Sequence, residues 1–199
     1  MTYYLDTILV VATGNPGKLR EMQTYLADFP WQLELKPDGL DVEETGTTFT
    51  ENACLKASEV AKATGQWSIA DDSGLRVDAL DGMPGVYSAR YADTDAARIQ
   101  RLLEELEGQP NRQAQFVCVI ALARPDGTIA LASEGICHGE IATQPQGAGG
   151  FGYDPIFYVP EQGMTFAQMP PALKHSISHR GLAFATFRSQ LAQLKELNS

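Results

Sequence analysis

"QFVCVIALARPDGTIALASEG", residues 115–135, decides the fold of this 199-residue chain. Two apolar runs flank "RPDG", and its Pro, Asp and Gly are turn formers, so the stretch reads as a β-hairpin. A hairpin of this kind builds antiparallel or mixed sheet. On either side of it, strand and helix signals alternate, and such alternation belongs to α/β architecture. The expected fold class is therefore α/β around a mixed central sheet.

Working upstream, "TILVVATGNPGK" reads as a buried strand that runs into a Gly-rich turn, after which Leu19, Met22, Leu26 and Phe29 recur at helical spacing. Thr48 and Glu51 form a capping box for a second helix, with Phe49, Ala53, Ala57, Val60 and Ala61 on one face and Gly65 as its stop. "WSIADDSG" follows as a strand. Helical spacing returns after Asp93 and Thr94, with Ile99, Leu102, Leu103 and Leu106 inward, until "EGQPN" interrupts it. Downstream of the hairpin come a Gly-rich loop, "QGAGGFGYDP", and a final helix carrying Phe184, Phe187, Leu191 and Leu194. The sequence has no repeat, low-complexity tract or linker, so one globular unit over residues 1–199 is expected.

Composition narrows the function classes. With 44% hydrophobic residues the chain can bury a sizeable core, and its net charge of −10 repels polyanions. Binding to a nucleic acid polymer or an anionic membrane is therefore not expected. The opening "MTYYLDTILVVATG" has no basic start and only a six-residue apolar run, and nothing later approaches membrane-spanning length. A soluble, cytoplasmic protein is expected. Cys54, Cys118 and Cys137 are odd in number and far apart, which fits reduced, buried thiols better than a disulfide framework or a zinc site.

Four stretches carry possible chemistry. In "TGNPGK", Thr13, Gly14, Asn15, Pro16, Gly17 and Lys18 open a helix whose free amides and dipole favour an anion. The stretch matches neither the Walker pattern nor the dinucleotide fingerprint, and taken alone it is better explained as an ordinary loop with a solvated Lys18. In "ADDSG", Asp71 and Asp72 either cap a turn after the strand or offer Asp72 as a base or Mg²⁺ ligand, with Glu43 or Glu44 supplying a second oxygen. A haloacid-type nucleotidase would need Asp where Ser73 stands, and that reading fails. In "GGFGYDP", Phe151 and Tyr153 among glycines can stack a base or plug the core. "LKHSISHRG" gathers Lys174, His175, His179 and Arg180 before the last helix, where positive charge opposes the helix dipole unless an anion is bound.

Together, "TGNPGK", "EETGTTFTENACLKA", "ADDSGLRVDALDGMPGVYSARYA", "GGFGYDPIF" and "SHRG" follow the order and approximate spacing of the inosine/xanthosine triphosphate pyrophosphatase family. The chain resembles that family over residues 9 to about 187. The resemblance implies two α/β lobes with the nucleotide in the cleft between them, a Mg²⁺ requirement, usually a homodimer, and removal of pyrophosphate from aberrant purine nucleoside triphosphates. It implies Asp72 as general base and metal-associated carboxylate, Glu44 as a further Mg²⁺ ligand, and Ser73 in the substrate site, with Asp71 in support. Thr13 to Lys18 match the triphosphate loop and Lys56 the lysine that adds positive charge. Phe151, Gly152, Tyr153 and Asp154 match the loop around the base, while Lys174, His179 and Arg180 match the residues that close over the purine. Pro16 and Leu173 depart from the family pattern: the first stiffens the phosphate loop, and the second stands where an acidic residue often precedes the lysine. A non-catalytic nucleotide sensor and a pyrophosphatase for modified pyrimidine nucleotides are the rival readings; the acidic residues oppose the first and "SHRG" opposes the second.

Overall fold

The computed structural model describes residues 7–197, so the first six residues of "MTYYLDTILVVATG" lie outside the described residues. The α/β expectation holds. The elements run β1 (Thr7–Val11), α1 (Pro16–Tyr25), β2 (Trp31–Leu35), α2 (Phe49–Thr64), β3 (Trp67–Val77), α3 (Asp95–Glu105), β4 (Gln113–Ala123), β5 (Ile129–Ile141), β6 (Phe157–Val159), β7 (Met164–Thr165), α4 (Pro171–Ile177) and α5 (His179–Leu197). The strands form one sheet in the order β2-β1-β3-β4-β5-β6-β7. It is mixed: β1 runs parallel to both β2 and β3, whereas β5, β6 and β7 pair antiparallel.

The hairpin that decides the class is β4 and β5, closed at "RPDG" by Arg124 N–H to Thr128 O at 2.9 Å and Gly127 N–H to Arg124 O at 2.8 Å. Its second strand is longer than expected and runs past "TIALASEG" to Ile141, because Cys137, Gly139 and Ile141 continue the alternation of buried residues. The α2 reading is borne out in detail. Thr48 Oγ1 accepts from Glu51 N–H at 3.1 Å, the Glu51 carboxylate reaches back to Thr48 N–H, and Gly65 closes the helix in the left-handed region.

Other expectations need correction. Leu26 and Phe29 keep helical spacing, but α1 ends at Tyr25; Leu26 is buried in the turn that follows, and Phe29 stacks on Trp31 at 5.5 Å. "DDSG" is not a turn: β3 carries straight through it to Val77, because Leu75 and Val77 have buried places to fill. Only half of the basic cluster precedes the last helix. Lys174 and His175 lie in the short α4, and His179 and Arg180 form the first turn of α5. Cys118 and Cys137 are buried and Cys54 is only half-buried; all three are free.

The chain forms two compact units. One contains the residues up to Asp72, Val119–Glu134 and those from Ala183; the other contains Ser73–Cys118 and Gly135–Leu182. In the first, Leu9, Val11, Met22, Ala53, Ala57, Val60 and Ile69 are buried, as are Phe184, Phe187 and Leu191 of α5, and Tyr25 stacks on Phe184 at 4.3 Å. Leu194, expected on the same face, lies outside the described side chains. In the second, Leu75, Val77, Leu102, Leu106, Phe116, Ile141, Phe157 and Phe166 form the core, with Phe116 against Phe157 at 4.6 Å. Burying each such Leu or Phe contributes about 1.5–3 kcal/mol, so each unit has a framework stiff enough to hold polar groups in place. Among the described residues no helix is long and apolar enough to cross a membrane.

Candidate active site

In the first unit the polar groups cluster at the ends of β1 and α2 and along β3. After β1 the chain turns through Thr13, whose Oγ1 accepts Asn15 N–H at 3.1 Å, and enters α1 at Pro16. Proline suits the first helical position because its φ is already helical and it has no N–H to leave unpaired. Gly14 and Asn15 are exposed at this turn, Gly17 lies in the first turn of α1, and the start of the helix presents backbone N–H groups that lack helical partners. Lys18 is not solvated as an ordinary loop lysine would be. Its ammonium bonds Asp71 Oδ1 at 3.0 Å, with the Lys18 side chain 35% exposed and that of Asp71 3%. The two adjacent carboxylates therefore have different counter-charges, since successive residues of a strand face opposite ways.

Asp72 turns to α2. Lys56 Nζ donates to Asp72 Oδ1 at 2.9 Å and to Glu44 Oε1 at 2.6 Å, and its side chain is only 12% exposed. Burial pushes the Asp72 carboxyl above its ordinary 3.8; Lys56 pulls it down, and the Glu44 charge adds to the rise. Burial works on Lys56 in the opposite sense, yet the Asp72 charge, the Glu44 hydrogen bond and the Asp71 charge outweigh it and hold the ammonium above 10.5. The two partners move upward for different reasons: the carboxylates around Lys56 outweigh its burial, whereas the burial of Asp72 outweighs its ion pair with Lys56. Proton loss from Lys56 is thus strongly opposed, and Asp72 is the group of the pair that exchanges a proton.

One oxygen of this pair stands apart. Asp72 Oδ2 is buried and makes no hydrogen bond among the described residues. Among those residues no group of three or more His, Cys, Asp or Glu side chains is gathered around a point, so a metal here would take two carboxylates, Glu44 and Asp72, from the protein. A buried anionic oxygen without a donor, next to a second carboxylate, is a hard-oxygen set that suits Mg²⁺, which completes its shell with waters and phosphate oxygens. The residues fit the ion.

In the second unit the loop after β5 arranges the remaining groups. Phe151 is 61% exposed, whereas Tyr153 is 4% exposed with its hydroxyl on Ser88 O at 2.9 Å. The two aromatics of "GGFGYDP" therefore divide between the two readings: Phe151 offers an exposed ring and Tyr153 is a core plug that anchors the loop. Asp154 is buried and accepts both Phe151 N–H, at 2.8 Å, and the Lys174 ammonium. Gly150 has φ +73°, and a Cβ there would fall on Asp154 Oδ2, so the loop needs glycine at that position. Gly152 N–H donates to Asp95 Oδ2 of α3 at 2.7 Å. The Lys174 ammonium lies 5.2 Å from the Phe151 ring centre and 5.5 Å from that of Phe166, and Leu173, at the position without the usual acid, packs on the core instead. His179 stacks on Phe116 at 4.6 Å, and buried Arg180 sends Nη2 to Ser73 Oγ at 3.4 Å. An exposed aromatic face with the Lys174 ammonium beside it can hold a flat heterocycle that carries acceptors.

A family model described as the Ham1 family matches residues 9–190. The chain belongs to the Ham1 family. It is 68% identical over 190 residues to a dITP/XTP pyrophosphatase of Nostoc sp., covering 96% of this chain and 97% of that protein. To the dITP/XTP pyrophosphatase of Synechocystis sp. it is 62% identical, covering 94% and 96%. Among solved structures, a HAM1 protein from Coxiella burnetii superposes with a TM-score of 0.88 at 45% identity, covering 94% of this chain and 99% of that one. A nucleoside-triphosphatase, also titled dITP/XTP pyrophosphatase, from Mycobacterium abscessus superposes at 0.77 and 42% identity, covering 90% and 98%.

Within this Ham1-family chain the first unit pairs Lys18 with Asp71 and joins Lys56 to Glu44 and Asp72, while the second joins Lys174 to Asp154 and Phe151, sets Arg180 on Ser73 and stacks His179 on Phe116. Sequence reasoning passed over three residues that hold them: Asn52, Ser88 and Asp95. Only Asn52 left a signal, as a poor helix former among good ones in "TENACLKA". Ser88 and Asp95 act through contacts far along the chain, which no local pattern encodes.

Proposed function

We propose that this protein hydrolyses noncanonical purine nucleoside triphosphates (inosine, deoxyinosine and xanthosine triphosphates) to the monophosphate and pyrophosphate, clearing them from the nucleotide pool. The observation that carries the reading is the buried Asp72 carboxylate, fixed at one oxygen by Lys56 and open at the other, beside Glu44. The names of relatives up to 68% identical over nearly the whole chain support the same reaction. In it, Asp72 Oδ2 takes the proton of the attacking water, and burial tunes the carboxyl upward, toward a pH at which it can do so. Thr13 to Lys18 bind the triphosphate through backbone N–H groups and the Lys18 ammonium. Lys56 keeps the acidic pair compact and adds positive charge. Glu44 and Asp72 would hold Mg²⁺, which when bound would supply neutralisation of phosphate charge.

The purine stacks on Phe151, while Lys174, His179, Arg180, Ser73 and the loop from Gly152 through Tyr153 to Asp154 define its edge. Arg180 bears only donors, so it pairs with a carbonyl at purine position 6 and meets the amino group of adenine donor to donor. The proposal further takes residues 1–199 as one pyrophosphatase domain, working as a cytoplasmic homodimer on a small-molecule substrate. The test is kcat/KM for inosine, xanthosine and adenosine triphosphates on the native protein and on Arg180→Ala. The native protein should prefer the first two by orders of magnitude, up to about 10⁴-fold, with the preference collapsing in the variant. Equal turnover of inosine and adenosine triphosphates by the native protein contradicts the reading.

A further inference from the structure

Asn52 is fully buried in the first turn of α2, where its own N–H bonds Thr48 O at 3.1 Å. Asparagine is costly in a helix because its side chain competes for backbone partners, and here the side chain has found one. Asn52 Oδ1 accepts Gly46 N–H at 2.8 Å, two residues beyond Glu44. Gly46 is glycine for the same contact: a Cβ there would lie 2.6 Å from Asn52 Oδ1 and 2.7 Å from Glu51 Cβ. The other end of the amide, Nδ2, is buried and closes no hydrogen bond among the described residues; nor does Asp72 Oδ2. These two orphans are complementary, a neutral donor and an anionic acceptor, and the Asn52 amide lies within interaction range of the Asp72 carboxylate. A buried donor left unmade costs about 1–3 kcal/mol.

We infer that Asn52 is a positioning residue of the acidic pair, tying the Glu44 loop through Oδ1 and the Asp72 carboxylate through Nδ2 so that the two present their oxygens at one spacing. The inference rests on the proposed assignment of Glu44 and Asp72 to the metal. No other side chain of similar size does both jobs. Aspartate would face Asp72 with a third negative charge, leucine has neither group, and glutamine sets the amide one methylene further out.

The test is calorimetric titration of the full-length protein with Mn²⁺, a probe for hard-oxygen sites, alongside urea unfolding to register any loss of stability. Asn52→Leu should weaken Mn²⁺ binding by about tenfold or more, as loss of a ligand's supporting hydrogen bonds does elsewhere. In a Glu44→Gln background the same substitution should cost much less, since a brace has nothing to place once its carboxylate is gone. Equal loss in both backgrounds, or no loss with stability alone reduced, overturns the inference and leaves Asn52 as a loop anchor. If Asn52→Leu does not fold, Gly46→Ala tests the brace from its other end, and Mn²⁺ binding unchanged by it counts against the inference. Asp72→Asn separates the two levels: native affinity in that variant refutes the metal assignment itself, whereas lost affinity there with intact affinity in Asn52→Leu refutes only the brace.

Discussion

Replacing Lys56 by methionine removes the ammonium that joins Asp72 to Glu44, while keeping most of the length of the side chain and its helix propensity. The two carboxylate oxygens that Lys56 contacts lie 2.6 and 2.9 Å from Nζ, so they are at most about 5.5 Å apart, the sum of the two contacts. At an effective dielectric of about 20, two negative charges at that distance repel by about 3 kcal/mol. This falls at the lower edge of the 3–5 kcal/mol that breaking a buried pair usually costs. The protein need not bear that cost at every pH. The Asp72 carboxyl already stands above its ordinary value through burial, and loss of Lys56 raises it further. A group whose folded pKa lies above its unfolded pKa contributes stability at low pH and loses it as pH rises through the folded value. Lys56→Met should therefore fall about 3 kcal/mol below the native protein near pH 8 and less far below it near pH 5, since without Lys56 the Asp72 carboxyl takes up its proton more readily. Urea unfolding of both proteins at the two pH values, without divalent cation, measures this; added Mg²⁺ near pH 8 should recover more stability in the variant than in the native protein. A loss of stability that is independent of pH, or larger in acid, would refute the reasoning.

Two further outcomes follow from the two units. Lys18→Ala should weaken triphosphate binding about tenfold while changing nucleoside binding less than about twofold, with the difference shrinking as salt rises; equal losses for both ligands place Lys18 away from the phosphates. Gly150→Ala puts a Cβ on the Asp154 carboxylate at a φ of +73°, so Asp154 releases Lys174 and Phe151 N–H. Nucleotide affinity should then fall about tenfold with the fold retained by circular dichroism, and unchanged affinity shows that this loop does not hold the base.

How much of this could be read from the chain follows from the range of each interaction. The α2 boundaries were legible because capping is local: Thr48, Glu51 and Gly65 lie within reach of their own backbone partners. The hairpin at "RPDG" was legible for the same reason, and with it the mixed sheet. Trp31–Leu35 escaped notice as a strand, since five residues are too few for periodicity to separate them from a loop. The misreading of "DDSG" came from the same local reasoning, as turn-forming composition was overridden by burial of Leu75 and Val77 further along β3. At the candidate site, residue types and order pointed to Asp72, Glu44 and Lys56, but the way charge is shared did not. That Lys18 answers Asp71 while Lys56 answers Asp72 depends on side chains 53 and 16 residues apart being brought together, which only the folded chain defines. The split between exposed Phe151 and buried Tyr153 depends likewise on Ser88, 65 residues from Tyr153.

The central claim, hydrolysis at the α–β linkage with Asp72 as base, is tested most directly by identifying the products formed from inosine triphosphate with Mg²⁺ by the native protein and by Asp72→Asn. The account predicts inosine monophosphate and pyrophosphate in equal amounts from the native protein, and a rate lower by about 10²-fold or more from the variant, which remains folded. Release of inosine diphosphate and orthophosphate, or near-native turnover by Asp72→Asn, contradicts it.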